Sequence, residues 1–89
     1  MNATSYTATE IRQKVLSVVF EVSGIEIPDL DMGMSLSDDI APTSLDRVTL
    51  FMALEDEFSG TIAEEELQDV HTLQDLIDFV ERKANSGSS

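Results

Sequence analysis

Cysteine is absent from this 89-residue chain. That excludes a disulfide framework and any thiolate chemistry of the chain's own, and it suits a reducing compartment. Histidine occurs once, at His71, so no second histidine or cysteine can complete a catalytic dyad or a zinc site. Basic residues are few: five Lys and Arg stand against 18 Asp and Glu, a net charge of −13. Phosphate binding needs clustered Lys and Arg, so nucleic acid is a poor partner. An anionic membrane surface would repel the chain. No apolar run approaches membrane-spanning length, and "MNATSYTATE" has neither the basic nor the apolar region of a signal peptide. A cytoplasmic protein without membrane insertion is the expectation. Nothing alternates with period two for long enough to specify a strand, and there is no internal repeat.

What is present is helical periodicity. Hydrophobic residues make up 42% of the chain, enough for one small domain with a modest core. The spacing predicts an all-α fold: a small bundle of three main helices and one short helix, with a long loop between the first and second helices. Residues 1–8 read as a flexible lead-in, 9–83 as the helical domain and 84–89 as a flexible tail. Thr9 is placed as the first cap, with Ile11, Val15, Val18, Val19 and Val22 on one face, Leu16 and Phe20 widening it, and Gly24 ending the helix. Pro28, Gly33 and Pro42 punctuate the connection, and "SLSDDI" within it reads as one helical turn. The second helix opens at Thr43 or Ser44, carries Leu45, Val48, Phe51, Met52, Leu54 and Phe58 as its apolar face, and stops at Gly60. A short helical piece near "AEEELQ" precedes a last helix from about Thr72, with Leu73, Leu76, Ile77 and Val80 inward. Arg82 and Lys83 fall in its last turn, where they suit the helix dipole.

No constellation of residues marks an enzyme. "DLDMG" at 29–33 resembles the opening of a calcium loop, but the third acidic position and the closing Glu are missing, so no metal site is expected. Carboxylates are abundant, yet nothing singles out two as a working acid–base pair. Read from residue types alone, Thr43 and Asp46 form a cap for the second helix and Ser44 is an ordinary first-turn residue. The net charge is compatible with an acidic helical adaptor that binds a basic partner and carries no prosthetic group.

The stretch "TSLDRVTLFMALEDEF" favours another reading, because it resembles the prosthetic-group region of acyl carrier proteins. That region reads Asp-Ser-Leu-Asp, then an apolar helix, then an acidic cluster before a Phe. Here Ser44, Leu45 and Asp46 supply the Ser-Leu-Asp, and "MALEDEF" at 52–58 the helix end. "FSGTIAEEELQDVHTLQDLIDFV" is similar to the family's later part, so the resemblance spans about residues 9–83.

The resemblance implies that Ser44 carries 4′-phosphopantetheine through a phosphodiester. The thiol at the end of that arm would hold acyl groups as thioesters, which accounts for a thiol-dependent role without cysteine. The partners implied are a phosphopantetheinyl transferase and acyl-processing enzymes with basic docking patches, met by a monomer. Leu45 would offer apolar contact, and Asp46, Glu55, Asp56 and Glu57 an acidic docking face on which Arg47 intrudes as a positive charge. An acyl chain would shelter between helices, with Val48, Met52, Leu54, Ile62, Leu67 and Leu76 as candidate lining. The chain departs from the family pattern at Thr43 in place of Asp, at Ala41-Pro42 in place of Gly-Ala, at Arg47, and at Thr49 where an acid is common. These departures suggest a specialised carrier of fatty acid or related lipid or polyketide synthesis.

Overall fold

The computed structural model describes residues 7–86. Three α-helices form the body: α1 (Ala8–Ser23), α2 (Ser44–Phe58) and α3 (Leu73–Ser86). Single helical turns lie between them at Ile27–Asp29, Leu36–Ile40 and Glu64–Leu67. The all-α architecture with a long first connection is therefore as the periodicity predicts.

α1 begins two residues earlier than the apolar pattern suggests. Its cap is Thr7, not Thr9: the Thr7 hydroxyl accepts the Glu10 N–H at 3.1 Å, and the Glu10 carboxylate accepts the Thr7 N–H at 2.9 Å. This reciprocal pair satisfies two orphan donors of the first turn. The helix ends at Gly24, whose φ of 79° is left-handed and whose N–H reaches the Phe20 carbonyl at 2.8 Å. A Cβ at Gly24 would meet nothing within 4 Å, so it is backbone conformation rather than space that selects glycine. Ile11, Val15, Val18 and Val19 are buried, whereas Phe20 projects outward.

The long connection is fastened at both levels of structure. Leu36, Ile40 and Ala41 insert into the core. Ser35 caps the turn that carries them, its hydroxyl accepting the Asp38 N–H at 3.2 Å. Backbone groups of the same segment tie to the start of α3. The Leu36 N–H donates to the His71 carbonyl (2.9 Å), and the Leu73 and Gln74 N–H groups donate to the Met34 and Met32 carbonyls (3.0 and 2.9 Å). The loop thereby supplies acceptors for N–H groups that a helix start leaves unpaired.

α2 stops at Ser59, which takes the left-handed conformation (φ 54°) expected of Gly60, while the Gly60 N–H bonds to the Glu55 carbonyl at 3.1 Å. The 3₁₀ turn Glu64–Leu67 is pinned to α3 by Lys83 Nζ on the Glu66 carboxylate at 2.6 Å. That pair, with the Ala63 N–H, draws the Glu66 carboxyl below its usual pKa. At the head of α3, Thr72 and Asp75 cap reciprocally. The Thr72 hydroxyl accepts the Asp75 N–H (3.1 Å), and the Asp75 carboxylate accepts the His71 and Thr72 N–H groups (both 3.2 Å). These backbone donors favour the ionised form and lower the Asp75 pKa.

α2 and α3 both pack against α1, and far less against each other. Leu73, Leu76, Ile77, Phe79 and Val80 of α3 meet the α1 stripe and Leu50 and Leu54 of α2 in one cluster. α3 continues to Ser86, and Lys83 falls in its last turn as the sequence suggests. The start of α1 at Ala8 and the end of α3 at Ser86 pass the sequence-based limits of 9 and 83. The remainder of the expected lead-in and tail, residues 1–6 and 87–89, lies outside the described residues.

Candidate functional site

The site grows out of a change of environment over five residues. Ile40 and Ala41 are buried, and the Ala41 N–H closes the preceding turn on the Leu36 carbonyl at 2.6 Å. Pro42 follows, with no N–H to give, and Thr43, Ser44 and Leu45 emerge exposed. Thr43 is extended (φ −106°, ψ 161°) and caps α2 twice over: its hydroxyl accepts the Asp46 N–H at 3.0 Å, and its carbonyl accepts the Arg47 N–H at 3.1 Å. Thr43 thus discharges the capping role and leaves Ser44 out of it. Among the described residues the Ser44 hydroxyl has no hydrogen-bond partner, and neither do the Ser44 and Leu45 N–H groups. An exposed hydroxyl with no structural task stands at the positive end of a 15-residue helix.

The outward face of α2 is apolar as well as acidic. Leu45, Val48 and Met52 are 73%, 53% and 62% exposed, one stripe at i, i+3 and i+7. This corrects the assignment of Val48 and Met52 to a lining between helices, since both side chains face solvent. The inward face is instead Leu50 and Leu54, with Phe51 and Phe58 half-buried beside them. Leu50 escaped the sequence reading because apolar residues occupy both faces of α2, so the pattern alone does not say which stripe is inside. The signal available was Leu50 with Leu54 and Phe58, spaced by four. Of the other lining candidates, Leu54 and Leu76 are fully buried, and Ile62 and Leu67 are half-buried at the edge of the core.

The acidic residues of α2 differ in how far they are committed. Asp46 and Arg47 are half-buried in the first turn. Glu55 accepts the Ile62 N–H at 2.7 Å and so anchors the segment after the helix. Glu57 pairs with Lys14 of α1 at 2.9 Å. Asp56 is exposed between them. A concave surface of about 400 Å³ is lined by Glu10, Gln13, Lys14, Ser17 and Glu57. It is polar and opens at the far end of α2, about 20 Å along the helix from Ser44 at 1.5 Å per residue. It is no part of the Ser44 site. Among the described residues no polar side chain is buried, no set of three metal-ligating side chains clusters, and no helix is long and apolar enough to cross a membrane.

Comparison with known proteins bears on this geometry. The family model described as a phosphopantetheine attachment site matches residues 13–80, which include Ser44 and all of α2. The acyl carrier protein of Buchnera aphidicola subsp. Acyrthosiphon pisum (strain Tuc7) is 37% identical over 73 residues, covering 82% of this chain and 91% of its own. The acyl carrier protein of Chlorobium luteolum is 35% identical over 77 residues, covering 86% of this chain and 99% of its own. Matched over most of its length by both the family model and these relatives, the chain belongs to the acyl carrier protein family, as a carrier with 4′-phosphopantetheine for its cofactor rather than a catalyst.

Proposed function

We propose that Ser44 is the attachment point of 4′-phosphopantetheine. The protein then holds acyl intermediates as thioesters and presents them to enzymes of fatty acid, related lipid or polyketide synthesis in the cytoplasm. The observation that carries this reading is the division of labour at the start of α2. Thr43 makes the cap, and the Ser44 hydroxyl is exposed and unengaged among the described residues. The residues fit a phosphodiester there. A hydroxyl is the group that forms such a link, and backbone N–H groups at a helix start favour an attached anion. When bound, the arm supplies the thiol that the chain lacks. Ser44 needs no base of its own, because the transferase that modifies it can provide one.

The chain's own residues then serve recognition. Leu45, Val48 and Met52 offer a compact apolar strip beside Ser44, flanked by Asp56 and the paired Glu57. Basic patches on partner enzymes would be steered by the net charge of −13 and released readily, since exposed charge contacts are individually weak and screened by salt. The carrier works as a monomer. An acyl chain enters between α2, the 3₁₀ turn and α3, where Ile62 and Leu67 edge the buried Leu54 and Leu76. Support for that route comes from α2 and α3 packing on α1 rather than on one another. Thr43, Arg47 and Thr49 remove or oppose negative charge close to Ser44, which supports a specialised partner set.

The test is whole-protein mass after incubation with coenzyme A and a broad-specificity transferase. Wild type gains the mass of one 4′-phosphopantetheine and Ser44→Ala gains none. A gain by Ser44→Ala would place the arm elsewhere and defeat the assignment.

A further inference from the structure

The chain has five cationic side chains: Arg12, Lys14, Arg47, Arg82 and Lys83. Both lysines bridge separate elements, to Glu57 and to Glu66. Arg47 is differently placed. It is half-buried in the first turn of α2, yet its guanidinium makes no ion pair or side-chain hydrogen bond among the described residues. Arg12 and Arg82 likewise have no ion pair or side-chain hydrogen bond among the described residues, but both are exposed to solvent, so half-burial without a pair is what sets Arg47 apart. Holding so long a side chain half-buried costs rotamer entropy that nothing in the described structure returns as a hydrogen bond.

Its position supplies a reason. Arg47 is three residues after Ser44, and residues so spaced are neighbours on a helix surface, with Cβ atoms about 5–6 Å apart. Helical side chains lean toward the N-terminus, so the stem of Arg47 is directed back over the turn that carries Ser44. The family's cofactor joins the protein through a phosphodiester, a permanent anion, and guanidinium offers a planar set of donors suited to paired phosphate oxygens. We propose that Arg47 is a positioning residue for the prosthetic arm, its guanidinium hydrogen-bonded to the non-bridging oxygens of the phosphodiester on Ser44. The proposal rests on the reading of Ser44 given above.

A consequence follows from the helical wheel. Arg47, Phe51 and Leu54 share one flank at i, i+4 and i+7, the flank that turns toward the core, whereas Leu45, Val48 and Met52 form the exposed stripe. Holding the phosphate at Arg47 draws the root of the arm toward the inward flank and away from the exposed stripe. The loaded carrier then rests with its arm against the body, and a partner enzyme competes for the phosphate to lift the arm free.

The experiment compares apo and loaded forms of wild type, Arg47→Gln and Arg47→Lys, with loading confirmed by intact mass. Two quantities are read: the Arg47 Nε–Hε and phosphorus resonances by NMR, and the folding equilibrium constant from urea unfolding. In wild type, loading is expected to shift the Arg47 Nε–Hε resonance. It should also raise the folding constant about two- to fivefold at low salt, the range of an exposed ion pair. The gain should fall away near 0.5 M salt, roughly where screening reaches contact distance. Arg47→Gln keeps much of the stem and should lose the gain and shift the phosphorus resonance, while Arg47→Lys keeps part of the gain. A purely structural arginine would change apo and loaded forms alike. Mass gain in wild type with an unmoved Arg47 resonance and an equal loading effect in Arg47→Gln would overturn the proposal alone. No mass gain in wild type would overturn the Ser44 reading and this proposal with it.

Discussion

Replacing Thr43 and Ser44 one at a time separates the fold of this carrier from its chemistry, although the two hydroxyls are adjacent. Thr43→Ala removes the acceptor of the 3.0 Å bond from the Asp46 N–H and leaves that donor to water. Loss of an N-cap threonine costs about 0.5–2 kcal/mol, typically near 1. The whole domain, at roughly 0.05–0.15 kcal/mol per residue, has only about 4–13 kcal/mol to lose. For a domain of this size 1 kcal/mol lowers Tm by about 4–8 °C. Ser44→Ala breaks no hydrogen bond among the described residues and puts a better helix former in the first turn, so its effect should lie within about 0.5 kcal/mol and lean toward stabilisation. Thermal and urea unfolding followed by circular dichroism, alongside intact mass after transferase treatment, gives both readouts on the same samples. Thr43→Ala should be less stable and still accept the arm, whereas Ser44→Ala should be stable and remain unmodified. If Ser44→Ala loses as much stability as Thr43→Ala, the Ser44 hydroxyl is structural and the division of labour at this helix start is wrong.

Leu54→Ala, at a site only 1% exposed, should cost about 2–5 kcal/mol, while Met52→Ala, 62% exposed, should change stability by less than about 0.5 kcal/mol; urea midpoints distinguish them, and equal losses would contradict the orientation of α2. Asp56→Lys should slow association with the transferase at low salt without altering the fold, whereas Glu55→Lys should also destabilise by losing the acceptor of the Ile62 N–H. Stopped-flow binding at two ionic strengths checks this, and a salt-independent effect of Asp56→Lys would refute it. Asp75 has a folded pKa below its usual 3.8, so its contribution to stability is complete above that value and is lost as pH falls through the lower folded one. The stability gap between wild type and Asp75→Ala should therefore be widest near neutrality and close in acid; a gap that widens on acidification would reverse the assigned sign.

The sequence by itself determined the fold class, the family pattern and the capping chemistry of α2. All three are local: helical period, the order Thr-Ser-Leu-Asp, and a cap made within four residues. Local order also placed Gly24, because a left-handed residue is a backbone requirement that one side chain meets best. It misplaced the start of α1 and the end of α2. Thr7 rather than Thr9 caps α1 because Glu10 is spaced to return the bond, and Ser59 rather than Gly60 turns left-handed because the helix ends one residue earlier. The inward face of α2 was settled only by tertiary structure. Leu45, Val48 and Met52 are as apolar as Leu50 and Leu54, and periodicity gives two stripes without saying which one α1 will cover. The same holds for charge: the sequence gives Glu55, Asp56 and Glu57 as equals, but contacts with Ile62 and Lys14, remote in the chain, leave Asp56 the least committed of the three. Side-chain identity and spacing are properties of a segment. Burial and pairing depend on what another segment brings to it.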